Sequence, residues 1–242
     1  MFCLRWGLTI LIGLIVLVPL YWITISSFTP YEELFKSPIN YFPDYLSWDN
    51  YQYLVDKVDL WGKAWNTLLI TGVAIIMATV VCLMCSYAVV KYHFKGVTLA
   101  FLFLIGSSLI PTVVTARPLF DLMNAFGLVN TYFGLSLVYT SNLVPFTTLI
   151  FVNFLGKLPG EIDEAASVDG ANLMQRLFYV TMTLIRPAIA TVCIINFIQC
   201  LNELFVPLFF SLTIEPLSVA ITTIPRRGMA NLLPWDLVSA MG

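Results

Sequence analysis

One polar stretch, residues 158–187, stands out in an otherwise apolar chain because its side chains suit recognition by another protein. Pro159 can open a helix, since the N–H group that proline lacks would be unpaired at that position. Glu161, Asp163 and Glu164 then fall in the first turns, where the helix dipole favours negative charge. The pattern predicts a short acidic helix that a partner protein could bind.

The residues after this helix predict a sharp turn and a second helix. Gly170 suits a left-handed stop. Asn172, with Gln175 three residues later, has the spacing of a capping box that starts the next helix at once. One face of the short helix presents, at spacings of three and four, Ile162, Ala165 and Ala166. The two alanines leave a smooth ridge that would fit a groove in the partner.

The same stretch resembles the EAA loop of permease subunits of binding-protein-dependent ABC importers. The resemblance rests on Glu164-Ala165-Ala166, Asp169-Gly170-Ala171 and Pro187. In that family the loop is the cytoplasmic coupling helix that docks on the ATPase subunit. The resemblance implies that the coupling residues are Glu161, Ile162, Glu164, Ala165, Ala166, Asp169, Gly170 and Ala171. The chain departs from the family pattern at Thr183, where proline is usual, and at Leu177 and Val180, and these changes leave the docking turn intact.

The composition independently indicates a membrane protein. The chain of 242 residues is 59% hydrophobic and 11% charged, with a mean hydropathy of +0.87. A soluble domain carries about 25% charged residues. A membrane-spanning helix needs about 20 apolar residues, and its backbone groups must be paired internally. We therefore predict an all-α polytopic membrane protein with five spans, at residues 7–25, 68–90, 99–116, 135–155 and 188–212.

These spans suggest an organisation for the whole chain. Residues 1–27 are expected to form a retained anchor, because the apolar run exceeds the roughly 7–15 residues of a signal peptide. Residues 28–65 are expected outside the cell membrane, and residues 66–242 form the core, with the coupling loop at 156–186 in the cytoplasm. The family resemblance implies the type I ABC importer permease fold, in which such subunits have six spans. A sixth span, missing by C-terminal truncation, is therefore expected.

The segment before the second span narrows the resemblance to the carbohydrate branch, the MalG-like subunits. Ser26-Ser27-Phe28-Thr29-Pro30 and Trp48-Asp49-Asn50-Tyr51 are similar to the corresponding region of that branch. The segment between them is acidic, with Asp44 for example, and is broken into turns by Pro38 and Pro43. The resemblance implies transport of a sugar or sugar derivative. It also implies a second permease subunit, an ATP-binding subunit and an extracytoplasmic solute-binding protein as partners.

The predicted fifth span contains the polar side chains Gln199, Asn202 and Glu203. An ionisable residue at membrane depth is a candidate functional group, and the alternative is an interfacial carboxylate that reaches water. Asn202-Glu203 resembles the Trp-Asn-Glu/Asp run of MalG-like subunits, with Leu201 in place of the tryptophan. This implies a substrate pathway in which the three side chains bind sugar hydroxyls. Two alternatives stay open: a permease for a non-sugar solute, and a secondary transporter that uses Glu203, which inverted repeats would favour.

Several kinds of chemistry are not expected. The chain lacks the G-x-x-x-x-G-K-[ST] loop, so ATP hydrolysis is assigned to a separate subunit. Cys82 and Cys85 lie in an apolar helix far from further zinc ligands, and the single histidine, His93, lies outside that span, so packing is favoured over a metal or cofactor. In the third span, close helix packing is favoured over substrate contact by the small and polar residues Gly106, Ser107, Ser108, Pro111, Thr112 and Thr115. The net charge of −2 argues against a nucleic-acid partner.

Overall fold

The computed structural model describes residues 2–37, 41–43, 45–92, 95–225 and 233–242, and within these ranges its regular structure is helical. Pro38, Asp44 and His93, which the sequence analysis singled out, lie outside the described residues. The α-helices are α1 (Phe2–Ser27), α2 (Tyr31–Leu34), α3 (Asp49–Val58), α4 (Leu60–Lys91), α5 (Val97–Ser107), α6 (Thr112–Ala125), α7 (Tyr132–Leu155), α8 (Gly160–Val168), α9 (Leu173–Gln175), α10 (Met182–Leu184), α11 (Arg186–Leu201), α12 (Phe205–Phe210), α13 (Leu217–Thr223) and α14 (Trp235–Met241), with a π-helix at Arg176–Thr181 between α9 and α10.

Long apolar helices confirm the predicted class of all-α membrane protein. Within the described residues, three helices are long and apolar enough to cross a membrane: Arg5–Ser27 of α1, α4 and α7. Two further helix pairs satisfy the same test but are bent, by 101° between α5 and α6 and by 78° between the segment Leu173–Leu184 and α11. The spans predicted at residues 7–25, 68–90 and 135–155 lie inside α1, α4 and α7.

The third predicted span, residues 99–116, is interrupted near Pro111, a proline that the sequence places inside it. α5 ends at Ser107 and α6 begins at Thr112. The break lies at Pro111, which has no N–H group and pushes the preceding residue out of the helical region. The hydroxyls of Ser107 and Ser108 donate to the carbonyls of Leu104 and Ile105, both at 2.6 Å, so the end of α5 is partly satisfied by its own side chains.

The fifth predicted span, residues 188–212, is also interrupted. α11 ends at Leu201 and α12 begins at Phe205. Pro207 cannot donate the hydrogen bond that would continue the helix. Oε1 of Glu203 instead accepts hydrogen bonds from the backbone N–H groups of Phe205 (3.0 Å) and Val206 (3.1 Å). The carboxylate therefore satisfies two donors that the helix break leaves unpaired.

The chain forms two compact units, and the first comprises Met1–Trp65 and Pro216–Gly242. Its small core contains the buried side chains of Leu54, Ile224 and Leu237. Asn50 is buried, and its Nδ2 donates to the carbonyls of Ser27 (3.0 Å) and Thr29 (3.1 Å). The hydroxyl of Tyr51 donates to Oγ of Ser27 at 2.9 Å. The two short motifs named from the sequence thus meet, and the second satisfies carbonyl groups at the end of α1.

The second unit, Asn66–Glu215, is built on the contact between α4 and α7. Ala74 and Ala78 of α4 are fully buried, so the two helix backbones approach closely. Oγ of Ser136 donates to the carbonyl of Ile70 at 3.2 Å, and Oγ of Ser86 donates to the carbonyl of Thr148 at 3.1 Å. These bonds lock the register of two helices that the membrane could not drive together by a hydrophobic effect.

α11 joins the same unit through an apolar cluster and one buried polar pair. The cluster is formed by Cys82, Leu83, Tyr87, Phe151, Leu155, Leu177, Ile185, Ala188 and Val192. Asn196 is fully buried, and its Nδ2 lies 3.0 Å from Oγ1 of Thr147 on α7. A buried amide in this position fixes which faces of α7 and α11 meet, because any other rotation would leave it unsatisfied.

Candidate coupling helix and polar cavity

The predicted short helix is present as α8, which begins directly after Pro159 and carries Glu161 and Asp163 in its first turn. Pro159 stands one residue before the helix rather than inside it. All nine residues of α8 are described, and none of them is buried. A helix of this length has no stability of its own in water, so its ends and a few contacts must hold it in place.

The turn after α8 has the geometry of a Schellman motif. The N–H of Ala171 donates to the carbonyl of Ala166 at 3.0 Å, and the N–H of Gly170 donates to that of Ser167 at 3.1 Å. Gly170 has φ of +84°, which confirms the predicted left-handed stop. A Cβ atom at Gly170 would meet no described atom within 4 Å, so the backbone conformation alone demands glycine.

The second predicted cap is also present. The N–H of Asn172 donates to Oε1 of Gln175 at 2.8 Å, and the N–H of Gln175 donates to Oδ1 of Asn172 at 2.9 Å. This is the reciprocal capping box. The helix that follows contains the π-helix Arg176–Thr181, which the sequence analysis missed. The wider turn of a π-helix has no signature in residue spacing, although such turns are frequent at functional sites.

The exposed face of α8 differs in part from the predicted ridge. Ala165 is exposed, as are Glu161 and Glu164, whereas Ala166 is half-buried. Ile162 lines a narrow pocket beneath the helix, together with Val180 and Leu184. Val168, which the sequence analysis did not select, is 88% exposed at the end of the helix. The exposed surface of α8 therefore combines acidic groups with small and apolar ones. This surface continues into the turn at Asp169, Gly170 and Ala171.

Asp163 takes a role that the sequence analysis did not assign. Its side chain is only 14% exposed. Oδ1 accepts a hydrogen bond from the hydroxyl of Tyr87 at 2.8 Å. Oδ2 lies 3.4 Å from Nζ of Lys91 and 3.4 Å from Nη1 of Arg176. No local signal could have revealed this cluster, because Tyr87 and Lys91 precede Asp163 by more than 70 residues.

Of the three side chains predicted to form a substrate pathway, two line a common cavity in the structure and the third does not. Gln199 and Glu203 line a cavity of about 310 Å³ together with Ser107, Ser108, Tyr139 and Asn142. Asn202 does not line it, since it is exposed and its Nδ2 donates to the carbonyl of Ile198 at 2.8 Å. The serines that the sequence analysis assigned to helix packing thus face the cavity at the break between α5 and α6.

Cys82 and Cys85 both lie on α4, the apolar helix in which the sequence analysis placed them. Cys82 is buried, and its Sγ lies 3.5 Å from the carbonyl oxygen of Val144 on α7. Cys85 is half-buried on the same helix. Within the described ranges, no three His, Cys, Asp or Glu side chains lie close enough together to hold a metal ion.

Comparison with known proteins decides the family. Residues 85–222 match the model of the binding-protein-dependent transport system inner membrane component. The chain belongs to this family. The matched range contains α8, its turn and the residues that line the polar cavity. The resemblance drawn from the EAA loop is therefore confirmed, and the chain is an ABC importer permease component of a cell membrane.

Individual relatives agree with this assignment. The chain is 31% identical to the diacetylchitobiose uptake system permease protein NgcG of Streptomyces coelicolor, over 83% of this chain and 66% of that protein. It is 28% identical to the trehalose/maltose transport system permease protein MalG of Thermococcus litoralis, over 96% of this chain and 83% of that protein. The chain thus spans about two thirds of the first relative and more of the second.

A solved structure supports the fold independently. A chain from the crystal structure of a bacterial ABC transporter involved in the import of the acidic polysaccharide alginate superposes with a TM-score of 0.84. The match covers 99% of this chain and 89% of that one, at 20% sequence identity. This likeness confirms the importer permease fold that the sequence predicted.

Proposed function

We propose that this chain is a transmembrane permease subunit of an ATP-driven importer and forms a translocation pathway for a sugar or sugar derivative with a second permease subunit. A separate ATP-binding subunit would hydrolyse ATP, and an extracytoplasmic solute-binding protein would deliver the solute. The observation that carries this proposal is the unit made of α8, its left-handed turn and the capped helix that follows. The relatives named for diacetylchitobiose and trehalose/maltose support a sugar as the solute.

The coupling role follows from how this unit is built. The two caps fix the angle between α8 and the following helix, so a force on α8 would move both as a lever. The docking contacts would come from Glu161, Ile162, Glu164, Ala165, Ala166, Asp169, Gly170 and Ala171. Closure of the ATP-binding subunits would then shift the spans between two states, provided that the docked surface makes different contacts in each.

The polar cavity supports a neutral sugar as the transported solute. Its hydroxyl and amide side chains can donate to and accept from sugar hydroxyls. Among the described residues that line it, the one ionisable carboxylate is that of Glu203 and none is cationic. A wall with this charge would raise the free energy of an anionic sugar more than that of a neutral one. Gln199 and Glu203 are therefore proposed as pathway residues, with Asn202 at the edge of the pathway.

The two alternative functions are weighed by the same features. A permease for a non-sugar solute would have the same α8, so uptake assays with different solutes must distinguish it from a sugar permease. A secondary transporter would use Glu203 as a coupling carboxylate. The family of the chain and the two N–H groups that bind Oε1 of Glu203 favour an ATP-driven importer, in which this carboxylate also has a structural role.

Capture of the ATP-binding subunit tests the proposal most directly. The permease pair would be co-expressed with its ATP-binding subunit, and the complex purified through a tag on this chain. We expect Glu164→Lys to abolish capture because it reverses an exposed charge on α8. Glu32→Lys is the matched control, since Glu32 is also exposed on a short helix but lies in the predicted extracytoplasmic segment. Equal capture of the wild type and Glu164→Lys would contradict docking through α8.

A further inference from the structure

α8 lacks the apolar anchoring that holds the longer helices of its unit. None of its residues is buried, and Ile162 and Asp163 line a pocket that α8 shares with α4 and the segment after α8. The charged side chain of Asp163 is only 14% exposed. The position of α8 relative to α4 and to the segment that follows the turn therefore depends strongly on what Asp163 binds.

The contacts of Asp163 join three separate elements. Tyr87 and Lys91 lie in the last two turns of α4, and Arg176 begins the π-helix after the turn. Oδ1 is used by Tyr87, while Oδ2 faces both cations at equal distances of 3.4 Å. One carboxylate thus bridges the end of a membrane-spanning helix and the segment that leads to α11.

The charges in this cluster make the carboxylate essential to it. Lys91 and Arg176 are both within 3.4 Å of the same oxygen, so they would repel each other if that oxygen were neutral. Nε of Arg176 is buried and has no hydrogen-bond partner among the described residues. Its guanidinium group therefore relies on Asp163 for compensating charge in a partly buried position.

We propose that Asp163 is a positioning residue that fastens α8 to the end of α4 and to the π-helix, so that the three move as one body. The inference rests on the proposed function, since α8 is taken as the docking helix. It assigns Asp163 to the inner face of that helix, where it transmits movement, and not to the surface that contacts the ATP-binding subunit. Loss of its charge should leave docking intact and weaken the transfer of movement to the spans.

The test uses the complete complex of both permeases and the ATP-binding subunits in proteoliposomes. Asp163→Asn removes the charge with little change of shape. Asp121→Asn is the matched control, because Asp121 is also paired with a cation, Arg117 at 3.1 Å, but on the exposed surface of α6. Three quantities would be measured: recovery of the ATP-binding subunit, amide hydrogen exchange of α8, and sugar uptake per ATP hydrolysed, with maltose, trehalose and diacetylchitobiose as probes.

We expect Asp163→Asn to keep the ATP-binding subunit while uptake per ATP falls roughly tenfold, which is within the usual range of coupling between sites. Exchange in α8 should rise by about the same factor, since a tenfold change corresponds to about 1.4 kcal/mol. Asp121→Asn should change neither quantity. Asp163→Glu, which keeps the charge, should restore part of the uptake per ATP, whereas a residue needed only for folding would show no such dependence of this ratio on charge.

Two results would overturn the inference. Unchanged uptake per ATP with unchanged exchange would show that the cluster transmits nothing. Loss of the ATP-binding subunit from the Asp163→Asn complex would place Asp163 in the docking surface instead. If Asp163→Asn does not accumulate in the membrane, Tyr87→Phe is tested in its place. This variant removes one hydrogen-bond donor to Asp163, and it should lower sugar uptake per ATP hydrolysed by a smaller factor. A wild-type complex that takes up no probe sugar would contradict the proposed solutes alone, and the exchange measurement would still test the positioning role.

Discussion

The coupling unit around α8 and the polar cavity around Glu203 differ in how they are encoded. The turn and the caps that shape the coupling unit lie within residues 159–175, from the proline before α8 to the glutamine of the capping box. The cavity is lined by side chains from α5, α6, α7 and α11, and from the break after α11. The first is a local structure that can be recognised in the chain, and the second exists only after the helices have packed. Mutations should therefore act differently on the two regions.

The most severe effect is expected in the coupling unit, from Gly170→Val. The left-handed backbone conformation costs a non-glycine residue about 1–2 kcal/mol of free energy, and it costs a β-branched residue more. We expect uptake to fall roughly tenfold or more, because each 1.4 kcal/mol is a factor of ten, while membrane insertion stays normal. Solute uptake and ATP hydrolysis in proteoliposomes measure the effect.

The control for this change is Gly160→Ala in the same helix. A Cβ atom at Gly160 would also meet no described atom within 4 Å, but this glycine does not have a positive φ. It should therefore behave as the wild type. Normal uptake by Gly170→Val would show that the turn does not need its left-handed geometry for coupling.

An intermediate effect is expected in the cavity, from Glu203→Gln. Glutamine keeps an oxygen that can accept the N–H groups of Phe205 and Val206 but removes the negative charge. We expect discrimination between neutral maltose and an anionic uronic-acid disaccharide to weaken by about tenfold, as for a like-charge contact of about 1.4 kcal/mol. Competition between the two sugars for uptake measures this ratio. Glu32→Gln is the control, and an unchanged ratio in Glu203→Gln would remove this carboxylate from the pathway.

The mildest effect is expected from loss of the second cap, in Asn172→Ala. This substitution removes the acceptor for the N–H of Gln175 and should cost the start of the following helix about 1 kcal/mol. Amide hydrogen exchange of Leu173–Gln175 should rise correspondingly, with uptake reduced only slightly. Asn153→Ala is the control, because the Asn153 side chain donates to the carbonyl of Leu149 within the last two turns of α7 and caps no helix start. Exchange that is equal in both variants would mean that the Schellman turn alone holds the unit.

Features that depend on residues close together in the chain could be predicted from the sequence, whereas features that depend on distant contacts could not. Gly170 and the Asn172–Gln175 pair were predicted correctly because a left-handed turn and a capping box depend on residues close together in the chain. The third and fifth predicted spans contain Pro111 and Pro207, and a proline within a span can either kink a helix or end it. Which occurs depends on whether neighbouring groups satisfy the freed backbone, as the Glu203 carboxylate does after α11.

The amino-acid sequence by itself determined that this protein is a helical membrane protein with a short acidic helix and a left-handed turn, because hydrophobicity and helix caps act over a few residues. Its resemblance to ABC importer permeases rests on the motif residues of that same local stretch. Only the tertiary structure decided that Asp163 faces inward to Tyr87, Lys91 and Arg176, and that Asn50 closes the end of α1 through Ser27 and Thr29. It also decided that Gln199 and Glu203 share a cavity with the serines of a broken span, while Asn202 does not. Such pairings join residues far apart in the chain, and their energies depend on burial and partner geometry that exist only in the folded molecule.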